Sequence, residues 1–109
     1  MDMKEFLVME DQQVLDLVQK RFGIKINGLE DTKNLSTAWK IVEKLKKAGW
    51  TIDIRVNAEL KTVDGYRFEM GSPRTIFAQH GYRPNFGSIT EGICRTGLIA
   101  LGIMEGEIV

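Results

Sequence analysis

The sequence predicts an α+β domain in which a mostly antiparallel sheet of about four strands lies between helices. Three observations carry that expectation. Apolar residues recur at helical spacing through the first half of the chain, the period drops to two just after Trp50, and helical spacing returns after Ser88. The 109 residues fit a single domain over 1–109.

The first 30 residues read as a helical segment. Asp2 and Glu5 stand at capping-box spacing in DMKEFLVM, which either extends the next helix or forms a turn of its own. From Asp11 onward Val14, Leu15, Val18 and Phe22 mark one face, Gly23 supplies a left-handed cap, and Ile24 supplies the apolar contact behind it. IKING is ambiguous: Ile24 and Ile26 alternate, and Asn27-Gly28 is a turn pair. LEDTK is polar loop.

The second helix is the clearest element. Asn34 or Ser36 caps it, Leu35, Ala38, Trp39, Val42 and Leu45 mark its face, and Gly49 ends it with Trp50 just beyond. Trp39 is the expected anchor of this helix on the sheet. In WTIDIRVN the residues Trp50, Ile52, Ile54 and Val56 point one way, and Thr51, Asp53, Arg55 and Asn57 the other. Asp64-Gly65 is expected to turn a hairpin flanked by Val63 and Tyr66. RTIFAQ reads as a further short strand, and HGYRPNFG as loop. Ser88 and Glu91 then form a capping box, with the Glu91 carboxylate expected to reach back to Ser88. Gly102 is the expected C-cap of this last helix. Gly92 and Gly97 weaken it by up to about 1 kcal/mol each relative to alanine, which implies close approach to the sheet or to a partner chain.

Fifteen basic and fifteen acidic residues leave no net charge, which argues against a dedicated nucleic-acid binder. The charge is uneven: residues 1–16 carry a net of −4 and residues 40–47 a net of +3. Those stretches are solvated helix faces, or complementary patches between subunits. The single cysteine forms no internal disulfide, and no apolar run approaches a membrane span. The expected location is the cytoplasm of a bacterial host cell.

Cys94 lies past the first turn of its helix beside the apolar stripe, so a buried structural thiol is the expectation. His80 is the only histidine, and one His with one Cys makes no local metal motif. No cofactor is expected, and no catalytic residue is assigned. The loop QHGYRPNFG is the site candidate. His80, Tyr82, Arg83, Asn85 and Phe86 combine rings, amide donors and a guanidinium fork, the mixture that small anionic or nucleotide ligands require. Arg74 before the loop and Arg95 after it are expected to converge on it. Asp53, Arg55, Arg67 and Glu69 are read as a charged second sheet face that is only partly covered or that meets another subunit.

The stretches AWKIVEKLKKAGW (Ala38 to Trp50) and ITEGICRTGLIALGI (Ile89 to Ile103) resemble the phage ABA sandwich domain family, small proteins of bacteriophages and of prophages in Gram-positive bacteria. Ala38, Trp39, Val42, Glu43, Gly49 and Trp50 match the family's first helix, and Ile93, Cys94, Arg95, Leu98 and Gly102 its last. Gly92 and Gly97 depart from the usual alanines. The resemblance spans about residues 35–103. It implies a three-layer α/β/α sandwich with helices on both faces, and phage ancestry. The resulting expectation is a non-enzymatic accessory protein, homo-oligomeric, that binds a host protein or a small anionic metabolite. The alternatives are a sponge for a host nucleotide immune signal, a small enzyme using His80 with Arg83 or Cys94, and a weak nucleic-acid binder.

Overall fold

The computed structural model describes residues 2–108, without the side chains of Glu69 and His80. Four α-helices and a three-stranded antiparallel sheet give an α+β fold. The order is α1 (Met3–Val8), α2 (Asp11–Phe22), α3 (Leu35–Lys47), β1 (Thr51–Val56), β2 (Lys61–Glu69), β3 (Ser72–Thr75), a single 3-10 turn (Ala78–His80) and α4 (Ile89–Met104).

Local chemistry sets most helix ends. The Glu5 amide donates to Asp2 at 3.1 Å, so α1 is a separate short helix with its own cap. Gly23, with φ of 70°, closes α2. Gly49 follows α3 with φ of 95°, and the Trp50 amide returns to the Leu45 carbonyl as in a Schellman cap. The Ser88 hydroxyl accepts from the Glu91 amide at 2.9 Å. Two details differ from expectation. The Glu91 carboxylate accepts from the Gly87 amide, one residue before the cap. Gly102 lies inside α4; the helix ends at Met104, and Gly106, with φ of 78°, turns the chain so that the Glu107 amide returns to the Gly102 carbonyl. A Cβ at Gly102 would meet Ile108, which folds over it.

The sheet order is β1-β2-β3, three strands among the described residues where about four were expected. Asp64 and Gly65 make no turn. They sit inside β2, opposite Asp53 and Ile52. The turns fall elsewhere. Asn57 closes β1 to β2 by accepting from the Glu59 and Leu60 amides. Met70 and Gly71, with φ of 53° and 83°, form the two-residue turn between β2 and β3, as a type I′ hairpin requires. Gly65 serves packing: a Cβ there would come within 2.9 Å of Ile76 and 3.2 Å of Trp50. Unbroken alternation along β2 also places Val63 and Tyr66 on opposite faces, where a hairpin at 64–65 would have put them together. Arg67 therefore lies on the helix side, with its guanidinium 5.2 Å from the Trp50 ring, while Tyr66 and Phe68 lie on the other. RTIFAQ contributes only Arg74 and Thr75 to β3.

Helix α4 is the centre of the molecule. Every residue from Gly92 to Ala100 is buried, including Thr96 and Arg95, as expected of a helix enclosed on all sides. Gly92 and Gly97 are consumed within the chain. A Cβ at Gly92 would lie 2.5 Å from Val63, and one at Gly97 would lie 2.6 Å from Ile41. The first glycine admits the sheet and the second admits α3. Neither, nor the fully buried Ala100, is left to receive another chain.

Helices α3 and α4 pack on the Val63 face of the sheet, and α1 and α2 pack on α4 in turn. The opposite sheet face carries exposed Thr51, Arg55, Phe68 and Pro73 where a second helical layer was expected. The roles of the two tryptophans are exchanged. Trp39 is 44% exposed, whereas Trp50 is 2% exposed beneath β2. Ala38, Ile41 and Leu45 seat α3.

Candidate functional site

The segment from Ile76 to Gly87 runs along the edge of β2 that β3 leaves free. The Ile76 amide bonds the Gly65 carbonyl, and the Phe86 amide bonds the Lys61 carbonyl. This loop brings Arg83 onto the open sheet face. Its guanidinium donates to Asp64 Oδ2 at 3.0 Å and to the Tyr66 hydroxyl at 3.3 Å, and stands 3.9 Å from Asp53. The Tyr66 hydroxyl donates to Asp53, and Arg55 pairs with Asp53 at 3.3 Å. The result is a linked row across the face: Arg55, Asp53, Tyr66, Arg83, Asp64.

Asp64 is the residue that sequence reasoning missed, because Asp-Gly was read as a turn. It is fully buried and also accepts from the Gly65 and Phe77 amides. Burial raises its pKa above the usual aspartate range, and the Phe77 and Gly65 amides and Arg83 only partly oppose that rise. Arg83 is thus the counter-ion of a buried carboxylate and no free fork for an external anion. Arg83→Ala is expected to cost about 1–3 kcal/mol, since it removes a charged hydrogen bond from a buried acceptor. Its loss lets the folded-state pKa of Asp64 climb further. A carboxyl whose pKa is raised on folding disfavours the fold above that pKa and ceases to do so once protonated. The deficit of the variant should therefore be largest near neutral pH and shrink in acid. Denaturant titrations of both proteins at neutral and mildly acidic pH check this; a deficit that grows in acid overturns the assignment.

The other candidates separate. Arg95 is 5% exposed and faces α1 and α2. It donates to the carbonyls of Phe6 and Met9 at 2.8 Å each, to Asp11 at 2.9 Å and to Glu91 at 3.1 Å. Arg74 bonds Gln79 at 3.4 Å. Arg74, Arg83 and Arg95 therefore do not converge on one cavity. Phe86 is buried against Phe77 and the Gly92 backbone, so it offers no stacking surface. Asn85 accepts from the Lys61 amide and donates to the Glu59 carbonyl, tying the loop to the β1–β2 turn. Tyr82 stays partly exposed over Phe77. The backbone of His80 lies in the 3-10 turn, and its side chain lies outside the described residues.

Cys94 is fully buried, and burial pushes its thiol up to about 12. The acidic residues around α4 also work internally. Asp31 accepts from the Ile89 and Thr90 amides and the Thr90 hydroxyl, and the Ser88 hydroxyl donates to the Leu29 carbonyl. Burial alone raises the Asp31 pKa, but the Thr90 and Ile89 hydrogen bonds outweigh it and leave the group below its ordinary value. No local signal in LEDTK foretells a cap on a helix 58 residues away. Asp11, part of the acidic N-terminal stretch, is held by Arg95, and Lys44 donates to the Phe22 carbonyl.

Among the described residues no three His, Cys, Asp or Glu side chains are grouped to hold a metal ion, and no helix is long and apolar enough to cross a membrane. What the surface does present is a cluster at one end of the open face. Phe68 is 71% exposed beside its cross-strand partner Pro73, and Met70 stands fully exposed at the turn beyond them. Comparison with protein-family models, with curated protein sequences and with solved structures finds no match for this chain.

Proposed function

We propose that the protein works by binding another protein through the open sheet face, with Phe68, Pro73 and Met70 as the apolar centre of contact and the row from Arg55 to Arg83 as its polar border. The carrying observation is the exposure of Phe68 and Met70 in a chain that sends its other phenylalanines inside. Aromatic, Met and Arg side chains are enriched at protein interfaces, and contiguous exposed apolar side chains mark binding surfaces. The commitment of Cys94, Arg95, Asp31 and Asp64 to internal contacts supports a binding role over a catalytic one. The engagement of Arg83 by Asp64 favours a protein over a small anion at the loop. The resemblance to the phage ABA sandwich family supports a phage or prophage accessory role, with the partner a protein of the host cytoplasm.

A photo-reactive phenylalanine analogue placed at position 68, or at 70, tests the reading in the native cell, with position 47 on the exposed side of α3 as control. One discrete adduct, shared by 68 and 70 and absent at 47, is expected. Absence of adducts at both positions, or identical adducts at all three, overturns it. The nucleotide-sponge alternative requires melting to shift: a ligand at a hundred times its dissociation constant stabilises by about 2.7 kcal/mol. No such shift is expected with a panel of nucleotides and cyclic nucleotides.

A further inference from the structure

We propose that two copies of the chain join through the free edge of β1, making one continuous six-stranded antiparallel sheet. This interface does not depend on the Phe68 centre of contact; it shares with that surface only Asp53 and Arg55 of the polar border.

Strand β1 is hydrogen-bonded on one side only. Which of its peptide groups face outward follows from β2. The carbonyls of Lys61 and Gly65 bond Phe86 and Ile76, on the side away from β1. Their partners across the ladder, Val56 and Ile52, are therefore non-hydrogen-bonded pairs, and so is Ile54, which alternates with them. The amides and carbonyls of Ile52, Ile54 and Val56 point outward, and none of them meets a partner among the described residues.

An antiparallel neighbour must pair outward-facing residues with outward-facing residues. For two identical strands, the register of greatest overlap sets Ile54 against Ile54 of the second copy and Ile52 against Val56. That register brings Asp53 opposite Arg55 on the open face, twice. The edge is complementary to itself in both properties: apolar against apolar on the helix side, and acid against base on the other. A shift by two residues keeps the apolar match but sets Asp53 against Asp53 or Arg55 against Arg55. Ile52 and Ile54 are only half-buried and Val56 is 55% exposed, so this edge has apolar surface left to cover.

The other edge of the sheet is built differently. Strand β3 has four residues, and Pro73, in a non-hydrogen-bonded pair, turns its N–H-less nitrogen outward. Proline is a usual means of blocking edge-to-edge pairing. Strand β1 contains no proline, no glycine and no bulge. The two-fold axis runs perpendicular to the sheet, so the helices of both copies lie on one side and both open faces on the other.

Charge exchange tests the register. Wild-type protein should sediment at twice 12.4 kDa at micromolar concentration. Arg55→Asp places acid against acid and should weaken the dimer about tenfold or more, and Asp53→Lys places base against base with the same effect. An equimolar mixture of the two variants restores both opposite-charge pairs and should recover the dimer. Because Asp53 also bonds Tyr66, a second measurement uses cysteine substitution. Ile54→Cys should form a disulfide-linked dimer under mild oxidation, as the two residues face each other, whereas Arg55→Cys should not, as its nearest copy lies diagonally beyond disulfide reach. A monomeric wild type, a dimer indifferent to Arg55→Asp, or equal cross-linking at 54 and 55 overturns the proposal.

Discussion

Arg95→Ala should lower the unfolding free energy by about 3–5 kcal/mol, the usual cost of removing one partner from a buried ion pair. A domain of this size commonly has only about 5–15 kcal/mol in total, so the variant stands near collapse. The guanidinium divides its donors among four acceptors. The Phe6 and Met9 carbonyls belong to the end of α1, which has no other side-chain cap there; Asp11 opens α2, and Glu91 opens α4. One buried side chain thus joins three helices and neutralises carboxylates at the positive ends of two of them. Removing it leaves two carbonyls without a donor. Arg95→Lys should recover only part of the loss, since an ammonium has three donors and no planar fork. Urea titration measures both variants against Lys47→Ala, a change at an exposed side chain that should cost less than about 0.5 kcal/mol. Equal costs at positions 95 and 47 would mean that the buried network contributes nothing.

Trp50→Ala should cost about 3–5 kcal/mol, and Trp39→Ala about 1 kcal/mol or less. Trp50 lies under β2, its ring against Gly65 and beneath the Arg67 guanidinium. Truncation opens a void that neither the strand nor α3 can close without shifting the cap at Gly49. Trp39 is half in water, and its helix is held by Ala38, Ile41 and Leu45. Thermal and denaturant unfolding of the two variants decides the order. A larger loss at Trp39 overturns the packing described for α3. Trp50 Nε1 has no hydrogen-bond partner among the described residues, so Trp50→Phe should be far milder than Trp50→Ala.

The readable parts of this fold were those set within a few residues. Asp2 with Glu5, Gly23, Gly49 and Ser88 with Glu91 are caps whose donors and acceptors lie three to five positions apart, and all four ends are where spacing put them. The parity of β1 was legible for the same reason. Errors arose where one local signal competed with a distant contact. Asp64-Gly65 has the composition of a turn, but the glycine makes room for Trp50 and Ile76, and the aspartate awaits Arg83, nineteen residues on. Misplacing that turn inverted the faces of Tyr66 to Phe68. Trp39 was weighted by size, although the stripe Ala38, Ile41, Leu45 runs beside it. Arg83 and Arg95 were read as available because both acceptor sets, Asp64 with Tyr66 and the α1–α2 junction, lie far off in sequence.

The enclosure of α4 bears on the order in which the chain can fold. Every element that forms its seat is synthesised before it: α1, α2, α3 and the Val63 face of the sheet. Until residues 89–104 are available, Phe6, Ile41 and Val63 have no common partner, and the small helices are too short to persist alone. The growing chain therefore gains little tertiary structure from its N-terminal portion and condenses late, around a mostly apolar helix. Contacts as distant as Phe6 to Arg95 close in the same step. Slow acquisition of structure is the consequence, together with an interval in which the β1 strand is exposed on both edges. Substitutions in α4 should accordingly reduce the yield of folded protein during synthesis more than their equilibrium cost suggests.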